Sequence, residues 1–191
     1  MRRSDCFHLR MREFISLVPG VVLGSRFLER SSFSLNLDQA PQELREELTA
    51  EELKLVEKSV MAQDLENYFG KEYSCAESIL LVSLKHLGKP EDLVWAACGF
   101  GGGMYQRDLC GFLTGGIMAV GFSAGTLEKD RKESKEVCGR FVKQYWTWWI
   151  SQAPIHCSEI RKPAASSRVC RRLGLLATAK VEELITSLKT A

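Results

Sequence analysis

From about residue 49 onward, apolar side chains recur every three or four positions, the spacing that gathers them on one face of an α-helix. Thr49-Ala-Glu-Glu52 has the form of a capping box, and Leu53, Val56 and Val60 follow in register. A first helix is expected from there to about Phe69, closed by Gly70. A second starts at Tyr73 or Ser74 and runs through Leu87 to Gly88, with Ala76, Ile79, Leu80, Leu84 and Leu87 on one stripe. Pro90 opens a short third helix that runs into glycines, and Asp108 is placed to cap a fourth over 109–124. The charge run from Glu128 to Glu136 reads as the solvated start of a fifth helix. Val137, Phe141, Tyr145, Trp148 and Trp149 then recur at helical spacing up to the break at Pro154. Cys157 opens another short turn, residues 163–167 are loop, and Cys170 leads into a last amphipathic helix striped by Leu173, Leu176, Val181, Leu184, Ile185 and Leu188. No segment alternates with period two for long. The expected fold class is all-α: a single helical domain of about six helices, with a Gly-rich turn before the fourth and no sheet. Helices should contain residues 53–68, 78–87, 114–123 and 137–149.

One stretch departs from this pattern. Residues 98–125, CGFGGGMYQRDLCGFLTGGIMAVGFSAG, hold nine of the fifteen glycines. Glycine is disfavoured inside regular elements because it loses the most backbone freedom on folding, so a structural need must ask for it. Gly101, Gly102 and Gly103 suit a tight or left-handed turn. Gly111, Gly115 and Ala119 lie four apart and form a small-residue stripe, against which another helix can pack closely. Gly99-Phe-Gly-Gly-Gly103 is not followed by Gly-Lys-Ser/Thr, so it does not read as a phosphate loop.

Composition narrows the picture. A chain of 191 residues with 45% hydrophobic and 26% charged residues can bury one good core. A net charge of +2 gives no broad basic field, so no nucleic-acid partner is expected. The longest apolar run, 109–124, is shorter than the roughly 20 residues that span a bilayer and is interrupted by glycine, so no transmembrane segment is expected. Residues 1–40 read as an N-terminal tail and 41–191 as the cysteine-containing helical domain. Within the tail, Arg2, Arg3, Arg10 and Arg12 precede the apolar stretch Phe14 to Leu23, the order of an export signal. Arg10-Met-Arg-Glu-Phe-Ile15 resembles a degenerate twin-arginine signal without a clean cleavage site. The location that follows is periplasmic if the signal works and cytoplasmic otherwise.

The candidate chemistry lies in the cysteines. There are seven, an odd number that weighs against a fully paired disulfide framework. Cys75, Cys110, Cys157 and Cys170 each lie at or next to an expected helix start, where the helix dipole favours thiolate. Four such thiols can converge on a metal or cluster. Their spacing is not the short C-x-x-C clamp of zinc ribbons or ferredoxins. Cys6, Cys98 and Cys138 read as small buried hydrophobes. His156 could substitute as a ligand. The Tyr145-Trp-Thr-Trp-Trp149 cluster is either core or a homodimer face formed by Tyr145, Trp146, Trp148 and Trp149.

Four blocks carry a resemblance: Tyr73-Ser-Cys-Ala-Glu77, Gly99-Phe-Gly-Gly-Gly-Met104, Cys110-Gly-Phe-Leu-Thr-Gly115 and His156-Cys-Ser-Glu-Ile160. Together they resemble the redox-active family named for its C…GCAxxG…C…C cysteine pattern, which is similar to the N-terminal domain of split-Soret cytochrome c. The resemblance covers about residues 51–188. It implies an all-helical domain with four functional cysteines, and it brings an iron–sulfur centre from the cytochrome relative. Matched block by block, those four are Cys75, Cys110, Cys157 and Cys170, with Cys138 the competitor for the last place. Phe112 departs from the family's small residue at that point, which puts the close backbone approach there in question. No C-x-x-C-H occurs, so no covalent haem is expected. The resulting expectation is an iron–sulfur cluster, with [2Fe–2S] the candidate type, on these four cysteines, serving electron transfer or redox sensing with a redox partner protein. The alternatives are a thiol–disulfide protein without metal, or a non-catalytic helical module with structural zinc or disulfides.

Overall fold

The computed structural model describes residues 44–127, 129–162 and 167–189, all within the compact unit Asp38–Ala191. The N-terminal tail expected over residues 1–40, with its export signal, lies outside the described residues. The described chain is helical, with no strand among these residues. Helix α1 (Ala50–Lys58) opens on the expected capping box. The Glu52 amide donates to the Thr49 hydroxyl at 3.2 Å, and the Thr49 amide donates to the Glu52 carboxylate at 2.9 Å. The first helix does not run unbroken to Phe69. It stops at Ser59, whose extended backbone (φ −93°, ψ 112°) starts α2 (Val60–Leu65). The Ser59 hydroxyl accepts from the Ala62 amide at 3.0 Å and donates to Glu182, and the Glu182 carboxylate also takes the Met61 amide at 3.1 Å. A serine that can bond its own backbone competes with helix continuation, and here a distant carboxylate satisfies what the break exposes.

Helix α3 (Cys75–His86) follows a second capping box, made by Ser74 and Glu77. Gly70 and Gly88 close the preceding and following turns at φ +79° and +62°. The short third helix expected after Pro90 is a 3₁₀ segment, Glu91–Phe100. It leads into a left-handed turn in which Gly102, Gly103, Met104, Tyr105 and Arg107 all have φ between 55° and 69°. The three non-glycine residues there each carry a cost of about 1–2 kcal/mol. Helix α4 (Gly111–Ala124) begins two residues later than expected, and Asp108 does not cap it. Helix α5 (Arg131–Gln152) is capped by Asp130, which accepts from the amides of Lys132 and Glu133 at 2.7 and 2.9 Å. The one-turn α6 (Cys157–Ile160) and the long α7 (Ser167–Leu188) complete the described chain.

Helix α4 is apolar around nearly its whole circumference, and such a helix belongs at the centre. It packs against α3, α5 and α7. The contacts are close because glycine allows them. A Cβ on Gly115 would lie 2.6 Å from the carbonyl oxygen of Ala76 on α3. On the opposite side, a Cβ on Gly116 would lie 2.5 Å from the Tyr145 hydroxyl, which donates to the Phe112 carbonyl at 2.9 Å. The bulky Phe112 does not hold the helices apart: its ring fills the space over Gly174 of α7, where a Cβ would lie 2.4 Å away. Tyr145 and Trp149 are fully buried, and the Trp149 indole donates to the Pro154 carbonyl at 3.1 Å. These two residues are core, which removes them from the expected homodimer face; Trp146 and Trp148 remain half-buried.

Helix α7 is tied to α1 by Arg172, only 4% exposed, whose guanidinium takes both oxygens of Glu52. Burial would raise the Glu52 carboxyl, but Arg172, the Thr49 amide and Arg45 outweigh it and hold it below the ordinary carboxylate range. Among the described residues, no helix is long and apolar enough to cross a membrane.

Two outcomes follow for stability. Gly115→Ala should cost about 2 kcal/mol through overpacking against Ala76. Gly139→Ala, in open space on α5, should stabilise by about 0.5–1 kcal/mol. Equal effects in denaturant titrations would refute the close-packing argument. Because the Glu52 carboxyl is lowered on folding, its stabilisation is present above the unfolded value near 4.5 and lost as pH falls through the folded one. Glu52→Gln should therefore cost about 2 kcal/mol at neutral pH and flatten the acid limb of the stability curve.

Candidate cysteine site

The four cysteines singled out by sequence fall at four chain turns. Cys75 is the first residue of α3, Cys110 the N-cap of α4, Cys157 the first residue of α6, and Cys170 lies in the first turn of α7 rather than ahead of it. The tertiary fold brings the segments that carry Cys75, Cys110 and Cys157 together, and the charges of Cys75 and Cys157 also reach Cys170. The sulfur of Cys75 rests against the start of α4, where a Cβ on Gly111 would lie only 2.3 Å from it. The Cβ of Cys157 sits over Gly103, 2.8 Å from where that residue's Cβ would be. Both cysteines thus occupy space that glycine leaves open. Cys75 acts electrostatically on Cys110, Cys157 and Cys170, and Cys157 acts on Cys110 and Cys170, so the four thiols form one coupled group. Cys138 stands apart: burial alone shifts it, with no contribution from another thiol. All six described cysteines are free thiols, and Cys6 lies outside the described residues.

A short backbone ladder holds two of the segments together. The Cys110 amide donates to the Ile155 carbonyl at 2.8 Å and the Cys157 amide to the Asp108 carbonyl at 2.6 Å, around an antiparallel bridge between Leu109 and His156. Asp108, free of any capping role, meets His156 Nδ1 at 2.8 Å. This pairing was not visible in the sequence, where Asp108 reads as a cap and His156 as a substitute ligand. The only available signal was that each polar residue adjoins a cysteine of the set.

Cys110, Cys157 and Cys170 are shifted opposite to the lowering that helix-start placement suggested. Cys110 is raised, first by burial and then by the Cys75 charge. The amides of Phe112 and Leu113 pull the other way without making a capping hydrogen bond. Cys157 is raised by burial and by Cys75, with Arg161 and Arg107 opposing. Cys170 is pushed up to about 11, chiefly by burial. Desolvation of the charged form outweighs the helix dipole because the sulfurs are taken out of water as the helix ends are. Among the described residues, no three His, Cys, Asp or Glu side chains are placed to hold a single metal ion.

The family model "Putative redox-active protein (C_GCAxxG_C_C)" matches residues 73–184, a span that contains all four cysteines. The chain belongs to this redox-active family. No curated protein and no solved structure matches it.

Thiols raised on folding stabilise the fold below the unfolded value, near 9, and lose that contribution as pH climbs through the folded value. The reduced, metal-free chain should therefore lose stability between about pH 9 and 11 through Cys170, and Cys170→Ala should lessen the loss. Unfolding midpoints that do not change across this window would refute the burial argument.

Proposed function

We propose that the protein holds an iron–sulfur cluster, of the [2Fe–2S] type, on Cys75, Cys110, Cys157 and Cys170, and uses it for electron transfer or redox sensing. The observation that carries this reading is the convergence of four free thiols from four separate elements onto one electrostatically coupled group. An all-sulfur, fourfold donor set suits an iron–sulfur cluster. Gly111 supplies the room in which the Cys75 sulfur sits, and Gly103 the room for the Cβ of Cys157. When bound, a cluster exchanges single electrons.

The residues around the thiols have separate tasks in this reading. Cys110 is the deepest anchor, sealed by the core that Phe112 and Tyr145 build behind it. The ladder between 108–110 and 155–157 keeps Cys110 and Cys157 in fixed relation. Ligation requires thiolates, and burial favours the protonated form of Cys110, Cys157 and Cys170 in the metal-free chain, so loading releases protons. The same raised proton affinity makes the thiols slow nucleophiles at neutral pH, which favours the cluster over a metal-free thiol–disulfide cycle.

The test is anaerobic purification, followed by reconstitution with ferrous iron and sulfide, and assay of iron, sulfide and visible absorption. The unsubstituted chain should be coloured and carry both elements. Cys110→Ser should abolish colour and iron, whereas Cys6→Ser and Cys138→Ser should keep them. A colourless, iron-free protein after reconstitution would overturn the reading and leave the thiol–disulfide alternative.

A further inference from the structure

Cys157 is held at both of its backbone groups by segments that carry an arginine. Its amide donates to the carbonyl of Asp108, the residue after Arg107, at 2.6 Å. Its carbonyl accepts from the amide of Arg161 at 2.8 Å. Both arginine side chains are exposed. Elsewhere in the described chain, Arg45 and Arg172 share Glu52, Arg168 pairs with Glu46 and Arg171 with Glu66, whereas Arg131 and Arg140 on α5 have no ion pair with a described residue. Neither Arg107 nor Arg161 has such an ion pair among the described residues. The carboxylate beside them, Asp108, is engaged by His156. Lys162 adds a further exposed positive charge, and the exposed Glu159 a negative one. The two guanidinium charges reach the thiols: both favour the thiolate of Cys157, and Arg161 also favours that of Cys170. Arg107 stands at φ +58°, so a costly backbone conformation holds its side chain here.

We propose that Arg107 and Arg161 form an anion-receiving mouth over the cysteine site, and that the reactant meeting Cys157 and Cys170 presents a carboxylate or similar oxyanion there. Two uncompensated guanidinium groups raise the local concentration of anions and speed their approach. The planar fork of arginine also takes a carboxylate in two parallel hydrogen bonds. A small organic acid and the acidic side chains of a redox protein offer the same chemistry. The inference deepens the redox reading: it rests on these thiols being the reacting groups, but not on iron.

The experiment uses the full chain, reduced and metal-free, with Cys6, Cys98 and Cys138 replaced by serine so that only the four site thiols react. Two disulfide probes are compared, dianionic dithiobis(nitrobenzoate) and neutral dithiodipyridine. In each case a thiolate attacks the probe's disulfide, forming a mixed disulfide and releasing one aromatic thiolate, which is followed by its colour. The double substitution Arg107→Gln/Arg161→Gln should slow the anionic probe about tenfold and leave the neutral probe within about twofold. Arg→Lys at both sites should restore most of the rate, and added salt should slow the anionic probe on the unsubstituted chain. Protection by citrate at constant ionic strength marks a small-acid site; loss of rate with ionic strength alone marks an extended acidic partner. Equal slowing of both probes, or no slowing of either, would overturn the proposal. A chain that takes up iron but shows no charge preference loses only this inference. A chain that shows the preference but never takes up iron loses only the cluster.

Discussion

The packing of α3 on α4 depends on two helices meeting with almost no side chain between them. Gly111 and Gly115 present bare backbone to Cys75 and Ala76, at separations that no Cβ could share. Dispersion falls off steeply with distance, so this approach also brings Ile79 and its neighbours into full contact with the central helix. The same approach delivers the Cys75 sulfur to the residue next to Cys110. Core packing and site assembly are therefore one event: whatever pushes α3 away from α4 also separates the thiols.

Burial then sets the chemistry of those thiols. Placement at helix starts gives each sulfur a favourable dipole, an effect of about 0.3–1 kcal/mol at an exposed terminus. At Cys110, Cys157 and Cys170 desolvation of the thiolate is the larger effect, and repulsion from neighbouring thiolates adds to it, so their protons stay on. A site of this kind is held in reserve: it becomes anionic only when something with positive charge compensates it. Arg107 and Arg161 do so in part from the rim.

The left-handed turn from Gly102 to Arg107 links these levels. It stores unfavourable backbone conformations at Met104, Tyr105 and Arg107, which persist because the ladder beyond it ties 108–110 to 155–157. Gly103 lies under Cys157 within that turn, and no residue with a Cβ could fill its place without moving the cysteine. Helix α6 packs on this turn.

The sequence alone determined what short-range interactions decide. The capping box at Thr49, the helix start at Ser74, the stops at Gly70 and Gly88, the end of α5 before Pro154 and the glycine stripe on α4 each depend on residues within a turn or two of one another, so spacing reveals them. The all-helical class and the family follow from those signals and from the cysteine blocks. Only the tertiary structure decided the break at Ser59, which rests on Glu182; the accommodation of Phe112, which rests on Gly174; and the diversion of Asp108 from a helix cap to His156. It also decided the direction in which the thiols are shifted. Each of these outcomes is set by a partner far along the chain or by exclusion of water, and neither is encoded in local spacing.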